Sequence, residues 1–160
     1  MQKRRQDRAD GPRIPTSPVE MLAAYVRAFV ARRTEEVADF YLLPCTFVRP
    51  DGVWIVQDRP TALVLVGHLL DHARSQGHAR TETSGLFVRP LAATLAELSG
   101  TFIRYDADGS ECGRFGFTYV VRADASQWKI VVAVAHEPVD LADRRRKGIG
   151  TRPRTGAVAT

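Results

Sequence analysis

Apolar positions recur chiefly at helical spacing in the first half of the chain and at a spacing of two in the second. Leu22, Tyr25, Val26, Phe29 and Val30 make one apolar helical face that runs to about Arg33. Ser17-Pro18-Val19-Glu20 marks its start: Ser17 can accept the first free backbone N–H groups, Pro18 suits the first turn, and Glu20 completes a capping box. A short second helix, Glu35 to Phe40, turns Val37 and Phe40 toward the same core. Leu63, Val66, Leu70 and Ala73 form a third stripe, opened by Asp58 and Pro60 and ended before Gly77. Between the second and third helices, Tyr41 to Arg49 and Val53 to Val56 read as short strands around the turn Pro50-Asp51-Gly52. Pro44 gives the first of them an edge or a bulge.

Residues 79–88 and 91–105 predict two longer strands joined at Arg89-Pro90, and Asp106-Ala107-Asp108-Gly109 turns the chain again. A long antiparallel hairpin then fills residues 111–136. In its first arm Phe115, Phe117, Tyr119 and Val121 alternate with small or polar residues. Its second arm, Trp128 to His136, is apolar on both faces, which predicts cover on both. Strict alternation puts Trp128, Ile130, Val132, Val134 and His136 on one face, and Val131, Ala133 and Ala135 on the other. The expected fold class is α+β: a curved antiparallel sheet of about six strands wrapped round two to three helices of the N-terminal half.

A length of 160 residues, with 44% hydrophobic and 26% charged positions, suits one domain with its own core. The net charge of +5 belongs to the ends of the chain. Lys3, Arg4, Arg5, Arg8 and Arg13 crowd the lead, while Arg144, Arg145, Arg146, Lys147, Arg152 and Arg154 crowd the tail. Residues 1–16 are therefore read as a disordered basic lead, 17–138 as the cavity domain and 139–160 as a disordered basic tail. Neither end interleaves aromatics with its cations, so nucleic acid is not an expected partner. No apolar run reaches the roughly 20 residues that span a bilayer, so no membrane is expected either. Two separated cysteines, Cys45 and Cys112, and a start without an apolar signal core predict reduced thiols and a cytoplasmic location.

The order of helices and strands over residues 17–138 resembles the nuclear-transport-factor-2-like superfamily, which includes SnoaL-like cyclases and ketosteroid isomerases. The resemblance is strongest from Tyr25-Val26-Arg27-Ala28, through Val37-Ala38-Asp39-Phe40, to Cys45-Thr46-Phe47-Val48-Arg49-Pro50. It implies a cone-shaped half barrel around a cavity and a homodimer through the outer sheet face. It places Tyr25 where the isomerases carry their oxyanion-hole tyrosine. Arg49 falls where they carry the aspartate base, and a guanidinium is no general base. Steroid-type isomerisation is therefore not the activity that the resemblance implies.

The residues themselves leave alternatives open. Tyr25 lies on an apolar helical face, where a phenol serves either as core or as a donor to developing negative charge. Arg49 either receives a carboxylate or caps its turn by pairing with Asp51. His136 closes its strand either as structure or as a general base near neutral pH. Tyr119 is a further ligand contact, with Trp54, Phe117 and Trp128 as apolar walls. His68 and His72 stand four apart on a helix, with His78 in the following loop as a candidate third ligand, but they face away from the apolar stripe and lack the HExxH pattern, so no metal is expected. No phosphate loop, CxxC pair or nucleophile elbow is present, and no cofactor is expected.

The expected function is binding of a small, partly apolar and anionic molecule in the cavity. Cofactor-free proton transfer, as a lyase or isomerase with Tyr25 and His136 as the catalytic pair, is the enzymatic form of this reading. A non-catalytic dimerisation or ligand-binding module is the alternative.

Overall fold

A computed structural model describes residues 15–138. The expected basic tail, and all but the last two residues of the lead, lie outside the described residues. The elements are α1 (Pro18–Val30), α2 (Thr34–Asp39), β1 (Tyr41–Arg49), β2 (Gly52–Val56), α3 (Arg59–Ser75), β3 (Arg80–Ala92), β4 (Leu95–Tyr105), β5 (Glu111–Asp124) and β6 (Gln127–His136). The Ser17 hydroxyl accepts from the Glu20 amide at 3.2 Å, as the capping pattern predicts. The Glu20 carboxylate closes the box one residue early, on the amide and hydroxyl of Thr16 at 2.8 and 3.0 Å. Asp58 caps α3 through the Thr61 amide at 2.9 Å.

The six strands form one curved sheet in the order β2-β1-β6-β5-β4-β3. Every neighbouring pair is antiparallel except β1 with β6, which is parallel, so the sheet is mixed. The expected α+β architecture of six strands and three N-terminal-half helices is present. One joint differs: β3 runs through Arg89 and Pro90 to Ala92, and Pro90 stands opposite Ala96 of β4. Since β3 is an edge strand, the missing N–H of Pro90 removes no bond to a further strand. The β5–β6 turn is two residues long, with Ala125 and Ser126 both at positive φ, 45° and 69°. That is the handedness that matches the twist of the arms it joins.

The core lies between the concave face of the sheet and the helices. Met21, Leu22, Tyr25, Ala28 and Phe29 of α1 and Val66, Leu70 and Ala73 of α3 meet Leu98, Phe102, Phe117, Val121 and Ile130 of the sheet. A bulge in β6 decides what else faces this core. Ile130 stands opposite Val121, but Val132 stands opposite Val120, so Val131 is an inserted residue. One extra residue reverses the phase of everything after it. Ala133 and Ala135 therefore continue the inner face, opposite Tyr119 and Phe117, while Val132, Val134 and His136 lie on the outer face. The single face expected for Trp128 through His136 breaks at this bulge, and so does the outer placing of Ala133 and Ala135.

Candidate functional site

The inner face of the sheet is paved with rings. Phe102 and Phe117 stack at 4.1 Å between centroids, Phe117 and Tyr119 follow at 4.9 Å, and Tyr41 and Phe47 lie at 5.3 Å. A cleft of about 30 Å³ opens between α1 and β3–β5. That is room for roughly two water molecules, or for one small polar headgroup. Tyr25, Val26 and Phe29 line it from α1, Thr81 from β3, Phe102 and Arg104 from β4, and Phe115 and Tyr119 from β5.

Tyr25 is the hub of the buried end. Its hydroxyl meets that of Tyr41 at 2.8 Å, and its ring packs edge-on against Phe40, Tyr41 and Tyr119 at 5.7, 6.0 and 6.2 Å. Burial raises the pKa of Tyr25; hydrogen bonding to Tyr41 and Tyr119 and the charge of Arg104 oppose that rise. Burial pushes Tyr41 and Tyr119 well above the ordinary phenol range. All three are therefore protonated at neutral pH and can donate.

Arg104 supplies the charge. It stands in phase with Ala96, Leu98, Gly100 and Phe102 along β4, and so on the inner face. Its guanidinium lies 5.2 Å from the Phe29 ring centroid and 4.8 Å from that of Phe115. Among the described residues it makes no ion pair with a carboxylate. Burial lowers its pKa, but a guanidinium starts so high that it stays charged.

Behind Thr81 lies His78, only 5% exposed. Its Nε2 sits 2.7 Å from the Thr81 hydroxyl, and its Nδ1 has no hydrogen-bond partner among the described residues. Burial, reinforced by the charges of Arg104 and Arg32, lowers the imidazole to about 4, so it is neutral at physiological pH. Arg32 is held in a left-handed conformation (φ 60°) just past α1 and donates to the carbonyls of His78 and Leu70 at 2.6 and 3.1 Å. This ties the end of α1 to the end of α3.

The residues singled out by sequence are dispersed. Tyr25 and Tyr119 share the cleft, whereas Phe117 is fully buried against Phe102 and is not among the residues that line it. Trp128 lines a separate recess beside α1 and α2. Arg49 stays at its turn, with its Nε 3.2 Å from Asp51 and its guanidinium 6.0 Å from the ring of Trp54, which is 46% exposed. His136 lies over the outer face, with Nδ1 2.7 Å from the Glu137 carbonyl and Nε2 3.3 Å from the Thr118 hydroxyl. Arg49, Trp54 and His136 are thus not among the residues lining the cleft. Arg104 was the missed residue, and its signal was a cation continuing the apolar alternation of β4. Among the described residues no cluster of potential metal ligands forms, and burial raises the Cys45 thiol to about 11, as suits an inert core cysteine.

The family model described as "NTF2-like protein (DUF6841)" matches residues 19–138. No curated protein matches the chain. Among solved structures, an NTF2-like protein of unknown function from Shewanella oneidensis is similar at 11% identity, covering 73% of this chain and 93% of its own, with a TM-score of 0.59. A domain of unknown function with a cystatin-like fold from Nostoc punctiforme shows 17% identity over 79% of this chain and 78% of its own, with a TM-score of 0.60. An NTF2-like protein with a cystatin-like fold from Novosphingobium aromaticivorans shows 12% identity, 82% and 85% coverage, and a TM-score of 0.58. At these identities the likeness is one of fold.

Proposed function

This chain belongs to the NTF2-like family DUF6841, and from that premise we propose that it is a ligand-binding module whose cone accepts the anionic head of a small, partly apolar molecule. One observation carries the reading: the polar groups lining the cleft are a guanidinium and hydroxyls, with no carboxylate or histidine among them. A carboxylate is the small group that such a lining recognises. It accepts from Arg104 and from the phenols, beside the rings of Phe29, Phe102 and Phe115, and its apolar remainder extends out of the cleft. A lining of protonated donors polarises or holds negative charge, but it offers no strong acceptor for a substrate proton. Binding is therefore favoured over proton-transfer catalysis, and Tyr25 and Tyr119 act as donors. The test is a thermal-shift series from acetate to hexanoate, with the matching primary amides as neutral controls. The acids should raise the melting temperature and the amides should not; equal shifts, or none with any acid, count against the reading.

A second copy of this chain is the proposed partner of the outer sheet face. Two cross-strand rows support it: Ile55, Thr46, Val132 and Val120, and beside them Val53, Val48, Val134 and Thr118. Val53 and Ile55 are 64% and 61% exposed at one end of this face. An apolar band of this kind suits a self-complementary interface. Light scattering after size exclusion should give a dimer mass for the parent and a monomer mass for Val134→Glu. A monomeric parent at tens of micromolar would remove the dimer.

A further inference from the structure

A second recess, of about 660 Å³, opens between the helix pair α1–α2 and the start of β6. Its size falls in the range of small-molecule sites, roughly 300–1,000 Å³, whereas the inner cleft holds only a headgroup. Trp128 and Phe40 are its half-buried rings, with Ala24 and Pro15 beside them. Trp128 stands opposite Ala123 in the β5–β6 ladder, so no large cross-strand side chain covers its indole from that position. The sequence marks this residue as an apolar wall, and the inner cleft makes no use of it.

Charge defines what this recess takes. Both of its acids are already engaged: Glu36 pairs with Arg33 at 3.0 Å, and Asp39 pairs with Arg59. Arg27 and Lys129 also line it, and among the described residues neither forms an ion pair. Lys129 is half-buried, and a cation without a counter-ion gains a charge-assisted contact when an anion arrives. A cationic ligand would meet spent carboxylates and two free cations. A nucleic-acid strand would need a succession of stacking rings, not the single indole present here. We infer that this recess binds a planar aromatic acid, an arene carboxylate or sulfonate, with its ring on Trp128 and its anionic group at Arg27 and Lys129.

The experiment uses fluorescence of the Trp54→Phe protein, in which Trp128 is the one remaining tryptophan. The probe is 4-nitrobenzoate, a non-fluorescent quencher, with 4-nitrobenzamide as its uncharged match. Saturable quenching by the acid is expected, at least tenfold weaker for the amide. Added Arg27→Gln or Lys129→Gln should weaken the acid by about tenfold. Arg27 is exposed on α1, so its variant tests the charge without disturbing the core. Added Arg104→Gln should leave the dissociation constant unchanged, which separates this recess from the inner cleft. Linear quenching equal for acid and amide overturns the inference. So does an affinity insensitive to both Arg27→Gln and Lys129→Gln, or one lost with Arg104→Gln.

Discussion

The hydroxyls of Tyr25 and Tyr41 meet at 2.8 Å in the buried interior, joining α1 to the first strand of the sheet. Both residues are almost fully buried, and Tyr41, unlike Tyr25, is not among the residues lining the cleft. Tyr41→Phe leaves the Tyr25 hydroxyl short of a partner and should cost about 1–3 kcal/mol in urea unfolding. Tyr25→Phe should cost a similar amount, and the double variant should cost clearly less than the two combined, because after Tyr25→Phe the second change removes a Tyr41 hydroxyl that has lost its partner. Strict additivity would show that the two hydroxyls are not coupled.

On the opposite face, the His136 imidazole lies directly over Gly116, its cross-strand neighbour. A methyl group at position 116 would overlap the ring and come within 2.9 Å of the Glu137 carbonyl oxygen. Gly116→Ala should therefore destabilise the domain by about 1–3 kcal/mol. The same change in a His136→Ala background should cost markedly less, since the ring it displaces is gone. An equal penalty in both backgrounds would place the conflict in the backbone and not with His136.

His78 predicts a pH dependence with a definite sign. Its folded pKa is about 4, held down by burial first and then by Arg104 and Arg32, against an ordinary value of 6.5. Between those two values the unfolded chain binds the proton that the folded one refuses, so stability rises with pH across this window and falls as pH drops through it. The Thr81 hydroxyl and the Phe29 ring also face the imidazole, and neither carries charge there. Denaturation midpoints between pH 7 and pH 4.5 should decline more steeply in the parent than in His78→Gln. Parallel declines would assign the acid sensitivity to other groups.

The fold was legible because α1 and α3 carried start signals and apolar stripes, and the first arm of the long hairpin a clear alternation. Ser17-Pro18 and Asp58 cap as their chemistry requires, and Phe115, Phe117, Tyr119 and Val121 present the face that their spacing predicts. The site was less legible for two local reasons. The inserted Val131 reverses the phase of β6, so His136 is carried to the outer face by an event that leaves no mark in composition. Arg49 follows the inward phase of β1 but stands exposed at the end of the strand, at a turn where Asp51 takes its charge. Arg104 kept its phase, between Phe29 and Phe115, and became the cation of the cleft. Alternation predicts which face a residue points to; it does not predict whether that position is covered.

The account rests on Arg104 as the receptor for an anionic head, and calorimetric titration of butyrate into the parent and into Arg104→Gln tests it most directly. Butyrate carries the charge without a ring, so it has nothing to stack on Trp128. The account predicts saturable binding to the parent, at least tenfold weaker binding to Arg104→Gln, and none of butyramide to either. Butyrate binding the two proteins equally well, or failing to bind the parent at all, would contradict it.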